Sequence, residues 1–225
     1  MPTDALINVN GDSVQALEIL FFTTVMMLLP SLIIMMTSFT RYIVVLSFLR
    51  TAMGTQQTPP NMVLVGMALV LTLFTMSPTI AAINEEAFAP YQAEEITQEE
   101  FFERVQAPLK RFMLQDRTEL ESLELYCNMS GNPFPETEEE ALALPLVVIV
   151  PSFITSELKH AFELGFLLYI PFMLIDMVVA STLMSMGMVM LPPSMISTPF
   201  KLLMFIMLDG WQLLFSTLVR GFGFG

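Results

Sequence analysis

Residues 171 to 211 read Pro-Phe-Met-Leu-Ile-Asp-Met-Val-Val-Ala-Ser-Thr-Leu-Met-Ser-Met-Gly-Met-Val-Met-Leu-Pro-Pro-Ser-Met-Ile-Ser-Thr-Pro-Phe-Lys-Leu-Leu-Met-Phe-Ile-Met-Leu-Asp-Gly-Trp. No charge falls between Asp176 and Lys201. Such a run is long enough to cross a bilayer core of about 30 Å. Gly187, Pro192, Pro193 and Pro199 interrupt it, which disfavours one straight helix. The reading is a hairpin of two apolar helices joined by a methionine-rich turn. Asp176 and Asp209 are equidistant from the Pro192–Pro193 step. A straight hairpin centred there sets them level, about 25 Å from the turn. An acid at mid-bilayer costs about 2.5–3.5 kcal/mol on insertion scales. The two acids therefore mark the mouth of the hairpin or face protein rather than lipid.

The rest of the chain agrees with a membrane protein. Of its 225 residues, 54% are hydrophobic and 14% charged. Residues 51 to 84 carry no charge, and 14 to 40 carry only Glu18. Alternation of the strand type is absent from these runs, so the expected class is an all-α membrane protein rather than a barrel. The net charge of −13 belongs mostly to residues 85 to 143, which hold 15 acids and 4 bases. This acidic stretch reads as a water-exposed helical insert and argues against nucleic-acid binding, which needs a basic face. Three parts follow: an N-terminal membrane segment pair (1–84), the acidic insert (85–143), and a C-terminal helical hairpin (144–225). With one cysteine, Cys127, no disulfide forms within the chain, and with only His160 beside it no structural zinc site is expected. No cofactor is called for. The first positive charge is Arg41, so no cleavable signal peptide is legible and the first apolar run is expected to act as its own insertion signal.

Local signals set the element boundaries. Residues 1 to 13 read as a loose segment, and Pro30 is expected to kink or end the first helix. Residues 41 to 50 continue as helix, and Gly54 to Asn61 is a breaker cluster. Met62 to Ile83 is the second spanning candidate, with Pro78 near its end. Arg41 and Arg50 are the charges of the first connection, and the positive-inside rule places that connection in the cytoplasm and the acidic insert opposite. In the insert, Thr97 and Glu100 have capping-box spacing, and Asp116 to Glu119 repeats the cap signal. Phe101, Val105, Leu109, Phe112 and Met113 form one apolar stripe, with a bend at Pro108. Thr137 to Glu140 starts a further helix, Glu163 follows Lys159 at ion-pair spacing, and the last helix covers about Phe200 to Val219.

Met184, Met186, Met188 and Met190 recur every second residue. In a helix such residues share no face, whereas in an extended loop all four project the same way. A collar of such loops closes softly against solutes and deforms around a passing side chain, because methionine is unbranched and polarizable. The plain alternative is that they fill apolar space in a chain with 20 methionines. Lys201 either snorkels to a boundary or neutralises an acid on a neighbouring subunit.

Several longer motifs are recognisable. Pro30 to Arg41, Leu49-Arg50, Gly54-Thr-Gln-Gln-Thr-Pro-Pro-Asn61 and Met76-Ser-Pro78 resemble the first half of the FliP family of flagellar type III export-gate proteins. Pro151-Ser-Phe-Ile-Thr-Ser-Glu-Leu-Lys-His-Ala-Phe162 resembles that family's first signature. Ile170 to Ser181, with Leu191-Pro-Pro193, Pro199-Phe-Lys-Leu202 and Asp209-Gly-Trp211, resembles its second. The resemblance implies a non-enzymatic subunit of the bacterial inner membrane and the flagellar basal body. It implies a homopentameric ring with FliQ and FliR, contacts to FlhB and FlhA, and a conduit for unfolded flagellar proteins. It also implies that the methionine segment is the gate, with Met often standing where Val189 does here. By the same likeness Phe153, Glu157 and Lys159 line the pore or meet a neighbouring subunit, as Asp176, Lys201 and Asp209 would. Two other readings stand beside it: a small-solute or ion transporter, and the homologous subunit of a virulence secretion system.

Overall fold

The computed structural model describes residues 6–9, 12–15, 20, 23–24, 26–27, 31, 34–55, 57–115, 118–188 and 190–223. The expected break at Pro30 and the Asp116 cap signal lie outside the described residues. The N-terminal segment, expected as loose, forms a two-stranded antiparallel ladder, β1 (Leu6–Val9) with β2 (Asp12–Gln15), in which Val9 faces Asp12. The sequence places Asn10-Gly11 between them, a pair strongly preferred in two-residue hairpin loops. The remaining regular structure among the described residues is helical.

One helix sets the frame. Its first residue follows Pro145, whose fixed φ suits a helix start, and it runs as α8 (Leu146–Ser185) for 40 residues. At 1.5 Å per residue that is about 60 Å, twice a bilayer core. Pro151 and Pro171 lie inside it without ending it, so the stretch from 146 to 185 is one rod. From Glu163 to Ser185 the rod covers about 33 Å, a bilayer's thickness with Asp176 inside it. By length and composition α8 is a membrane span.

The other elements are placed by what they bury against that rod. α1 (Phe39–Ala52) runs parallel to it: Arg41 meets Glu157, and Phe48 meets Phe162 and Gly165 further along. An ideal Cβ on Gly165 would sit 2.6 Å from the Phe48 ring, so the missing side chain permits this approach. α2 (Asn61–Thr75) returns antiparallel along α1, tied by Tyr42 to Thr75 at 2.5 Å and by Arg50 to Asn61. Leu64, Ala68 and Thr72 form its buried stripe, while Met62, Val70 and Leu73 stay exposed. The second apolar run was expected as one helix to Ile83. It breaks at Met76, and α3 (Ser77–Ile83) starts with Pro78 in its first turn, giving a bend of 58°.

A π-helical turn (Asn84–Phe88) and α4 (Ala89–Gln92) lead into the insert. α5 (Gln98–Leu114) opens with the expected capping box: the Thr97 hydroxyl accepts from Glu100 N–H, and the Glu100 carboxylate accepts from Thr97 N–H. The latter bond holds the Glu100 carboxyl below its ordinary value. α6 (Leu120–Ser130) carries Cys127 inward, where burial raises the thiol, and α7 (Glu138–Ala143) is capped by Thr137. Lys110 donates to the carbonyls of Leu142 and Leu144 at 3.0 and 2.7 Å, closing α7's C-terminal end. The insert seats on the first turns of α8 through Phe112 on Phe153, Tyr126 on Thr155, and Glu119 N–H on the Ser156 hydroxyl.

The hairpin closes the fold. α9 (Pro193–Met207) returns antiparallel along α8, with Ser197 and Lys201 at Asp176 and Phe205 at Phe172. The expected single last helix is two. Asp209, at φ +49, turns the chain by 65° into α10 (Gly210–Arg220). The tail then lays Phe222 on Tyr42 and on Phe112, joining the helical bundle to the insert. The described residues contain one helix long and apolar enough to cross a membrane, or up to three if each bent pair counts as one span.

Candidate functional site

The methionine turn is built by the way α8 ends. Met186 is the last helical-side residue, and Gly187 takes φ +75. Gly187 N–H donates to the Met184 carbonyl and Met188 N–H to the Leu183 carbonyl, both at 3.0 Å. This is a Schellman motif, and only glycine enters its left-handed position without strain. A polar residue is not needed to satisfy these carbonyls, so the turn remains apolar. Pro192 and Pro193 then restart the chain as α9.

The segment is therefore turned rather than extended. Met184 belongs to the last turn of α8, and the glycine reverses the chain before Met188. The four thioethers do not share the common direction that an extended strand would give. They are nevertheless open: Met190 is 97% exposed, and Met184 and Met186 are exposed by about two thirds. Val189 lies outside the described residues.

Two ionic anchors hold this turn and its frame. At the first, Lys201 is 4% exposed and its Nζ donates to Asp176 Oδ2 at 2.6 Å and to the Ala52 carbonyl at 3.0 Å. The Ser197 hydroxyl donates to Asp176 Oδ1 at 2.6 Å. One ammonium thus joins both arms of the hairpin to the last residue of α1, and it also caps that helix end. Lys201 neither snorkels outward nor waits for an acid from a neighbour; its partner is in the same chain. The true centre of the hairpin is the Met186–Pro192 turn, not the proline pair. Asp176 consequently lies across from Lys201, and Asp209 is not level with it but precedes α10 in a left-handed conformation, with no side-chain cap bond and no ion pair among the described residues.

At the second anchor, the Arg41 guanidinium grips Glu157 with two bonds, Nε to Oε2 at 2.7 Å and Nη2 to Oε1 at 2.6 Å. Nη1 donates to the Gly221 carbonyl at 3.3 Å, and the Phe222 ring lies 4.1 Å from the guanidinium carbon. Glu157 has no exposed surface. A buried pair of this kind needs its remaining donors satisfied, and the planar fork meets that need here. Arg41 is thus an internal strut and not a free loop charge. Arg50 donates to Asn61 and to the Pro59 carbonyl, bracing the Gly54–Asn61 loop.

The residues expected at a pore or subunit contact separate into two sets. Phe153 and Glu157 are wholly buried within the single chain. Lys159 is outside, and it pairs with Glu119 of the insert at 2.8 Å instead of with Glu163. Sequence reasoning missed Ser197, Phe222 and Glu119. A hydroxyl one turn from Lys201 was a usable signal for Ser197; nothing local pointed to the other two. Among the described residues, no group of three or more His, Cys, Asp or Glu could hold a metal ion.

The sequence has known relatives. A model of the FliP family matches residues 22–218. The flagellar biosynthetic protein FliP of Aquifex aeolicus (strain VF5) is 50% identical over 212 residues, 94% of this chain and 88% of that one. The protein of the same name from Bacillus subtilis (strain 168) is 47% identical over 208 residues, 92% of each. That from Caulobacter vibrioides is 45% identical over 231 residues, 99% of this chain and 85% of the relative. With the family model spanning the Arg41–Glu157 and Asp176–Lys201 pairs and the methionine turn, the chain belongs to the FliP family of flagellar biosynthetic proteins.

Proposed function

We propose that the chain is a wall subunit of the flagellar protein-export gate, and that its methionine turn closes the conduit. The observation carrying this is an exposed apolar turn at the end of the longest apolar helix, with no polar side chain needed to hold its shape. Five copies, with FliQ and FliR, would gather the turns round one axis in the inner membrane, with FlhB and FlhA against the ring. The acidic insert would stand on the periplasmic side. The work is mechanical: Met184, Met186, Met188 and Met190 pack against one another at rest and repack round an unfolded chain in transit. Thioethers suit that task because they contact any side chain without a fixed hydrogen-bond pattern. The anchors do the opposite. Lys201 and Arg41 fix the helices so that the turn alone yields.

A photocrosslinking amino acid placed at Met190 tests this in cells. During export it is expected to trap unfolded flagellar proteins, while the same probe at exposed Val70 of α2 traps none. Equal capture at both positions would reject the assignment.

A further inference from the structure

An apolar cavity of about 320 Å³ lies in the elbow between α9 and α10, against α8 and α1. Leu164, Leu168 and Phe172 form its floor, Phe205 and Leu214 its sides, and Gly210, without a side chain, lets the Phe205 ring close on the bend. The one hydroxyl in the lining, that of Thr217, is already used on the Leu213 carbonyl at 2.8 Å. No polar group is left to bind a polar ligand, so hydrocarbon is the class of occupant that fits. Leu167, Leu208 and Leu213 stand at the cavity and are each more than 60% exposed. The lining comes from α8 and from the α9–α10 pair, both of span-like length and composition. The mouth therefore opens on the exposed apolar surface of these helices.

The cavity also has a polar end. Thr217 and Leu218 line it at the end of α10, and Arg220 follows Thr217 by three residues, about 5–6 Å away on the same helix face. Arg220 is exposed and makes no ion pair among the described residues. Its neighbour Gly221 is held by Arg41, and Phe222 touches the insert residue Phe112. Arg220 thus sits where the helical bundle meets the insert. An apolar slot running inward from a free cation at that boundary matches the shape and charge order of one phospholipid.

We infer that this elbow is a phospholipid site, with one acyl chain seated between α8 and α10 and the phosphate on Arg220. The full chain with its assembly, reconstituted in vesicles containing phosphatidylglycerol with a diazirine in its acyl tail, provides the test. On irradiation, label is expected to concentrate on residues 164–172 and 204–218 relative to the exposed Met62, Val70 and Leu73 of α2. Arg220→Gln should lower that enrichment by about fivefold, the worth of one basic residue near a membrane surface. Leu168→Trp should fill the slot and abolish the enrichment while α2 labelling stays unchanged, which reports that the fold is intact. Labelling of the elbow no higher than that of α2 would overturn the inference. So would protein–protein crosslinks into the elbow in place of lipid, because another chain would then occupy the slot.

Discussion

Removing the ammonium at the first anchor isolates what that anchor contributes. Lys201→Met keeps most of the stem volume and deletes the charge. It leaves the Ala52 carbonyl and Asp176 Oδ2 without their donor, while Ser197 still serves Oδ1. Breaking a fully buried pair costs about 3–5 kcal/mol. Asp176 keeps 38% of its side-chain surface, so water recovers part of that loss. The expected destabilisation is about 1–3 kcal/mol, the cost of a buried group left without a partner. Lys201→Met with Asp176→Leu removes both charges together and should be less destabilised than Lys201→Met alone. A reversed pair, Asp176→Lys with Lys201→Asp, should not rescue, because a carboxylate at 201 would face the Ala52 carbonyl with no proton to offer. Thermal unfolding of the detergent-solubilised chain, run as a double-mutant cycle, measures the coupling, expected at about 0.5–3 kcal/mol. Additive single effects, or a Lys201→Met chain as stable as the parent, would refute the reasoning.

Gly165→Ala puts a methyl 2.6 Å from the Phe48 ring, and the resulting overpacking should cost about 1–3 kcal/mol in the same unfolding assay. In the insert, the Glu100 carboxyl is held below its ordinary value of 4.5 by the Thr97 N–H. A depressed acid stabilises the fold above its unfolded pKa and loses that contribution as pH falls through the folded value. Carboxyl chemical shifts should therefore place Glu100 below the ordinary glutamate value, and Thr97→Ala, which removes the hydroxyl that also donates to Glu100 Oε2 at 3.3 Å, should raise it in part.

Much of this architecture was legible because its causes are local. The capping box at Thr97, the start of α7 at Thr137 and the hairpin within residues 171–211 rest on neighbours in the chain. What was misread depends on partners far away. The length of α8 was not legible, because Pro151 and Pro171 lie inside it and packing carries the helix through them. Arg41 was read only as a charge that sets orientation, because its partner Glu157 is 116 residues distant. Lys159 had Glu163 at the right spacing, yet Glu119 arrives through the insert and takes it. The hairpin register failed for a different reason. Prolines mark where α9 starts, whereas the reversal itself is made by Gly187, so every cross-helix pairing shifts. That shift is what brings Asp176 to Lys201 instead of to Asp209.

The central claim is that exposed thioethers at 184–190 close the conduit while the anchors hold the frame. The most direct measurement is ion and small-solute leakage across membranes of cells carrying Met186→Ala, Met188→Ala and Met190→Ala together, scored beside flagellar assembly. The account predicts a leaky membrane with filaments still assembled, since the turn's backbone bonds and Lys201 are untouched. A membrane as tight as the parent's, with the same filaments, would contradict it.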